Sequence, residues 1–254
     1  PNFRIAPGEY HDLWWHVNAW IQNWVYNYIH YVISITRERV GSYTSNLQWQ
    51  PLTPLAYAGA AKTVTANGDA QIDTAQSKFG GASGLFDGTG DYLSLADSAD
   101  WYFGTGDFTI DVWVRFNALP SANAVMPICT QTDDVAHTRT HLSLLNSADS
   151  YYWRFHVYSD AHIVLFDSSV VTVATGTWYH VALVRNGNTW YWFHAGTNVG
   201  TTTNSDAVPD RISSFLIGYE NGSGYLNGWL DEFRVSKGVA RWTSNFTPPT
   251  AAYL

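Results

Sequence analysis

"DFTIDVWVRF", Asp107 to Phe116, decides the fold. It places Phe108, Ile110, Val112, Val114 and Phe116 on one side and Thr109, Asp111, Trp113 and Arg115 on the other. That is the period of two expected of a strand with one face buried. Working outward, "THLSLLN", "YYWRFHVYS", "HIVLFD", "WYHVALVRNG", "TWYWFHAG", "SFLIGY" and "GWLDEFRVS" read as further short strands. Turn residues separate them, and no helical period intervenes. Such a run predicts a mainly β, antiparallel sandwich or barrel. In "WYHVALVRNGNTWYWFHAG", Asn186-Gly187 predicts a tight hairpin turn.

Composition narrows the function classes. The chain has 254 residues, with 16% aromatic and only 13% charged residues and a net charge of -8. Its basic residues are scattered singly, so nucleic acid and anionic membrane are set aside as partners. No apolar run approaches the roughly 18 residues that span a bilayer. The single cysteine, Cys129, excludes an internal disulfide and zinc sites built from several thiolates. The chain begins with Pro1, as a processed protein or a fragment would.

Residues 10–39 differ from the rest. Tyr10, Trp14, Val17, Ile21, Trp24, Tyr28, Tyr31 and Ile35 alternate steps of four and three, the spacing of a helical seam. Arg37, Arg39 and Gly41 suit its C-terminal end. Against a helix stands "WVYNYIHYVISIT", rich in β-branched and aromatic residues that also fit a period of two. The reading adopted is a helical aromatic arm over residues 1–50, followed by the β domain over 51–254. Within the arm, Trp14, Val17, Ile21, Trp24, Tyr28 and Tyr31 are the candidate assembly residues, packing on other copies, a trimer being one arrangement, or on another protein.

Four segments, "SKFGGASGLFDGTGDYLSL", "FTIDVWVRF", "GTWYHVALVRNGNTWYWFHAGT" and "LNGWLDEFRVSKGVARWTSNFTPP", together spanning Ser77 to Pro249, resemble the concanavalin A-like jelly rolls of the laminin-G-like superfamily. The closing stretch is similar to the ending of such domains in tailed-bacteriophage virion proteins. The resemblance implies that "GWLDEFRV" takes a central place in a sheet and that the remainder is a tail strapped across the sandwich, anchored by Trp242 and Phe246. Family members usually open with an apolar strand pairing near the closing one, for which "LTPLAYAG" is a poor substitute.

The resemblance also implies chemistry to be weighed. Endoglycosidases of this superfamily use carboxylates two residues apart on one strand, and retaining chemistry wants them about 5 to 5.5 Å apart. The four glutamates here, Glu9, Glu38, Glu220 and Glu232, have no such partners. A structural Ca²⁺ is the more serious expectation, with Asp231 matching the carboxylate of the closing-strand motif and Asp87 with Asp91 supplying another oxygen set. For sugar, whose C–H faces stack on aromatics, Trp113 and Arg115 of one strand and Arg154, His156 and Tyr158 of another would line an open sheet if the two strands are neighbours. Loop sites near Trp101–Tyr102 or Tyr219–Tyr225 are alternatives. The expectation is a non-enzymatic protein of the virion surface. Its jelly roll binds host glycan, or serves instead as a purely structural capsid or tail decoration.

Overall fold

The computed structural model describes residues 34–37, 62–134, 138–159, 162–222 and 224–253. In chain order the strands are β1 (Ser34–Arg37), β2 (Val64–Asn67), β3 (Gln71–Asp73), β4 (Ser83–Asp87), β5 (Tyr92–Leu95), β6 (Phe108–Phe116), β7 (Val125–Asp134), β8 (Thr138–Ser147) and β9 (Ser150–Ser159). They continue with β10 (His162–Asp167), β11 (Trp178–Asn186), β12 (Thr189–His194), β13 (Thr197–Thr203), β14 (Phe215–Ile217), β15 (Tyr219–Glu220), β16 (Gly224–Tyr225) and β17 (Asn227–Lys237). Sheet A runs β13-β12-β11-β6-β17-β4-β3, with β1 added beside β17, and sheet B runs β10-β9-β8-β7-β14-β5-β2. No helix among the described residues is long and apolar enough to cross a membrane.

The alternation in β6 holds. Phe108, Ile110, Val112, Val114 and Phe116 enter the core, where Leu142, Leu144, Trp153, Phe155 and Val157 of β8 and β9 meet them from sheet B. Each such side chain contributes on the order of 1.5–3 kcal/mol by leaving water. Aromatic rings set the packing: Phe103 stacks on Phe108 at 4.3 Å and Trp101 on Phe215 at 4.6 Å. The indoles keep their hydrogen bonds despite burial. Trp101, Trp190 and Trp192 each donate to a backbone carbonyl at 3.0 Å. The hairpin between β11 and β12 turns on Gly187–Asn188, one residue later than expected, because Asn186 pairs with Thr189 and Gly187 takes the positive φ of 59° at the first turn position.

The closing strand β17 does lie centrally, between β6 and β4. Its tail crosses the outer face of sheet A as expected. Trp242 and Phe246 stack at 4.0 Å and cover Ala182, Val184 and Phe193. The Phe246 N–H donates to the Gly196 carbonyl at 2.9 Å. Gly196 has φ +78°, and a Cβ there would stand 2.0 Å from the Phe246 oxygen, so the close approach of the strap requires glycine.

The expected arm is corrected at one place. Residues 34–37 form a strand parallel to β17, from Ser34 opposite Arg234 to Arg37 opposite Lys237, where a helix was expected. The physical reason is an edge to be filled: β4 pairs with β17 only as far as Leu230, which leaves later backbone groups needing partners. The β-branched residues of this stretch suit the role. The candidate assembly residues Trp14, Val17, Ile21, Trp24, Tyr28 and Tyr31 lie outside the described residues, as does the boundary at residue 51.

Candidate functional site

Two outer faces result, and their fates differ. On sheet A, outward-facing Asp111 of β6 receives Arg234 Nε and Nη2 at 2.9 and 3.0 Å, together with the Tyr253 hydroxyl from the strap. Arg234 also lies 3.7 Å from the Tyr253 ring centre. Burial raises the Asp111 carboxyl, but the Arg234 charge and the His180 hydrogen bond outweigh it and hold it well below the usual carboxylate range. This face is closed by its own tail.

The proposed composite site is therefore corrected. Trp113 lies under cover, 7% exposed, with His180 at 5.3 Å, Phe79 edge-on at 5.8 Å and Lys78 Nζ 4.1 Å above its ring. Arg115 stacks on Trp229 at 4.6 Å and donates to the Gly176 carbonyl at 3.1 Å. Arg154, His156 and Tyr158 stand on β9, in the other sheet, so the two sets face opposite sides of the sandwich. The alternation of each strand was read correctly; their adjacency was not. β6 pairs with β11 and β17, and β9 pairs with β8 and β10.

On the outer face of sheet B the three β9 residues have companions that sequence patterning did not single out. Register sets Ser143 opposite Arg154, His141 opposite His156 and Arg139 opposite Tyr158. On the other side of β9, Asp167 lies opposite Arg154 and Leu165 opposite His156. His141 and His156 have ring centres 5.4 Å apart, and the Arg139 guanidinium lies 5.9 Å from the Tyr158 ring centre. Arg154 grips Asp167 through Nε and Nη2 at 2.8 and 2.6 Å. Those hydrogen bonds raise Arg154 above its ordinary pKa despite the opposing effect of burial. From the β15–β16 hairpin, Glu220 reaches this face and takes His141 Nδ1 at 2.7 Å. Because Glu220 accepts there, the Nδ1 nitrogen carries the hydrogen.

Beside Glu220, Tyr219 sits between Tyr92 at 5.0 Å and Tyr225 at 4.5 Å, a ladder of three half-buried rings. This places the Tyr219–Tyr225 loop alternative on the same side as Arg154, His156 and Tyr158. The Trp101–Tyr102 alternative divides, since Trp101 is in the core and only Tyr102 reaches solvent. Period two in "THLSLLN" could have found His141 and Ser143. Nothing local to Glu220 or Asp167 announces their partners.

The carboxylates expected to hold calcium each accept from backbone donors. Asp231 Oδ2 accepts from the Lys78 and Phe79 N–H groups at 2.7 and 3.0 Å, and Oδ1 from Glu232 N–H at 2.9 Å. Asp91 accepts from Asp69 and Asp87 N–H groups at 2.6 and 3.0 Å, and Asp87 from Thr89 N–H at 2.7 Å. Among the described residues no group of three or more acidic, histidine or cysteine side chains could hold a metal ion. Ca²⁺ takes six to eight oxygens, backbone carbonyls and waters among them, so an ion at either place would compete with these backbone donors for the carboxylate oxygens. An ion at 100 times its Kd would add about 2.7 kcal/mol, several degrees in Tm for a domain of this size. We therefore expect millimolar CaCl₂ or EDTA to move the Tm by less than about 1 °C in a thermal melt. A rise of several degrees with calcium would overturn this.

The comparisons with known proteins agree with the architecture. The Laminin_G_3 family, described as the concanavalin A-like lectin/glucanases superfamily, matches residues 87–243. Domain 4 of AbnA, a GH43 extracellular arabinanase from Geobacillus stearothermophilus solved with arabinotriose, has a TM-score of 0.54 at 18% identity, over 70% of this chain and 83% of that one. The binding domain of Paraclostridial mosquitocidal protein 1 gives 0.53 at 12% identity, over 73% and 45%. Botulinum neurotoxin type C, whose cell entry is described as dependent on interaction with two ganglioside molecules, gives 0.50 at 11% identity, over 75% and 45%. The chain thus spans less than half the length of the two toxin chains. At such identities these likenesses concern the fold alone. No curated protein matches the chain. With the family match covering more than half its length and two large, mainly antiparallel sheets in this order, the chain belongs to the Laminin_G_3 family of the concanavalin A-like lectin/glucanase superfamily.

Proposed function

We propose that this is a non-catalytic carbohydrate-binding domain of a virion surface protein, and that it holds host-cell glycan on the outer face of sheet B. The observation that carries the reading is the asymmetry of the two faces. Sheet A is sealed by Trp242, Phe246 and Tyr253, whereas sheet B offers partly exposed Tyr158, Arg154, Asp167 and Leu165 in register on adjoining strands. Rings and aliphatic surface can take the C–H faces of a sugar, while guanidinium and carboxylate groups take its hydroxyls. The arabinotriose bound to the arabinanase domain and the gangliosides named for the toxin support a glycan partner.

A binding rather than catalytic role is supported by the two described glutamates. Glu220 is engaged with His141 outside sheet B and Glu232 is buried beneath the strap of sheet A, so they do not share a cleft. Placement on a virion rests on the closing stretch, whose resemblance to tailed-phage domains implied the strap. The arm residues Trp14, Val17, Ile21, Trp24, Tyr28 and Tyr31, which precede β1, are assigned to assembly with further copies or other virion proteins. Individually weak sites then suffice, because copies on one particle act at high effective concentration.

The full chain on a broad glycan array should bind at least one glycan class reproducibly. Tyr158→Ala should weaken that binding by about tenfold, roughly 1.4 kcal/mol, with the Tm within a few degrees of wild type. Silence from a folded protein would overturn the reading in favour of a decoration protein whose outer face contacts other subunits.

A further inference from the structure

The outer face of sheet B carries its charge in closed pairs. Arg154 is matched by Asp167 through two hydrogen bonds. Arg139 Nη1 lies 3.8 Å from Glu220 Oε1, and Glu220 also holds His141. Arg211, where β8 begins and β9 ends, faces Asp133 at 3.9 Å while donating to the Arg139 and Tyr158 carbonyls. Every arginine described on this side therefore already faces a carboxylate. A sugar bearing a carboxylate or sulfate would find no surplus guanidinium. To bind, it would have to displace a partner already in place and leave that carboxylate uncompensated.

A hydroxyl group meets the opposite situation. It donates and accepts at once, and an arginine–carboxylate pair offers both roles side by side. Arg154 spends two of its five N–H hydrogens on Asp167, and a carboxylate keeps further lone pairs beyond the two engaged. Both side chains reach solvent, at 25% and 30% exposure. On the same face of β10, two residues from Asp167 and so about 7 Å along the strand, Leu165 is 48% exposed. An apolar surface beside a rigid donor–acceptor pair matches a pyranose or furanose ring, which has one C–H face and a rim of hydroxyls.

We propose that Arg154, Asp167 and Leu165 form a subsite selective for neutral, hydroxyl-rich sugar units, and that the pairing of charge on this face discriminates against acidic glycans. The proposal rests on the glycan-binding reading above and adds the ligand class and the residues that select it. Asp167 is the discriminating residue: it supplies acceptors for hydroxyls and cancels the charge that would attract a carboxylate.

The test is the full chain and two variants, Asp167→Asn and Leu165→Ser, on an array holding neutral oligosaccharides beside sialylated, uronate-containing and sulfated ones, at pH 7.5 and physiological salt. Wild type should bind neutral glycans. Asp167→Asn should lose at least about tenfold on them while its binding to acidic glycans rises, and Leu165→Ser should lose affinity without that change of preference. Thermal melts within a few degrees of wild type would show that both variants fold. Wild-type binding confined to acidic glycans would overturn the subsite and leave the general glycan reading standing. Neutral binding that neither variant alters would also overturn it, placing the site elsewhere. Silence of folded wild type on every glycan would remove both readings together.

Discussion

Replacing Asp111 by alanine should destabilise the domain by about 3–5 kcal/mol, the cost of leaving a buried charge without its partner, and lower the Tm by on the order of 10 °C. Asp111 is wholly buried and accepts both Arg234 nitrogens and the Tyr253 hydroxyl. Arg234, itself buried, would keep its desolvation penalty and lose its carboxylate. Tyr253 would lose the acceptor that ties the end of the strap to sheet A. The damage therefore extends beyond one ion pair to the tail that covers Ala182, Val184 and Phe193. Tyr253→Phe isolates the hydroxyl and should cost only about 1–3 kcal/mol. Urea denaturation of wild type and the two variants measures all three. A loss under about 1 kcal/mol for Asp111→Ala would mean that the strap is not held through this carboxylate.

That Asp111 would serve as a strap anchor was only half legible. The period of two in β6 placed it on the polar side with Trp113 and Arg115, and that side does face outward. What a strand's outer face meets is a long-range matter. The tail returning from residue 238 onward covers this one, and sequence patterning carries no signal for which face a tail will choose. The same limit undid the composite binding site, since the polar faces of β6 and β9 look alike in sequence while belonging to different sheets. The central closing strand and the Trp242–Phe246 anchors were expected through resemblance, which carries long-range order that local pattern does not. Charged pairs such as Arg154–Asp167 could not be read, because 13 residues and a strand reversal separate the partners and only the register of β9 on β10 joins them. Asp231 shows a further ambiguity. A carboxylate beside turns suits calcium in sequence, and it suits backbone N–H groups equally well; three of them donate to Asp231.

Glu232 gives the strap a dependence on pH. It stands at the irregularity in β17 between Asp231 and Arg234, with φ +50°, and accepts the Tyr253 N–H at 2.7 Å. Burial pushes its carboxyl up, the Tyr253 N–H pulls it back, and the neighbouring Asp231 charge pushes it up again, leaving it at about 7 against an ordinary 4.5. A folded value above the unfolded one means that the native state binds the proton more tightly. The stabilisation is thus fully present below about 4.5 and is lost as pH rises through about 7. Asp231, raised by burial from 3.8, acts in the same direction as Glu232. His194, lowered by burial from 6.5, acts in the opposite direction and favours the native state less as pH falls, and the depressed Asp111 and Asp100 do so only below their ordinary 3.8. The wild-type profile is therefore a composite, and Glu232→Gln separates it, since glutamine keeps an oxygen for Tyr253 and cannot ionise. Between pH 5 and 8 the wild-type Tm should fall relative to the variant by about 3–6 °C, a figure discounted for the solvent that screens the strap's margin. Parallel Tm curves would show that the Glu232 carboxyl ionises without loosening the strap. Divergence on the alkaline side, accompanied by faster proteolysis after residue 238, would place the loosening in the strap itself.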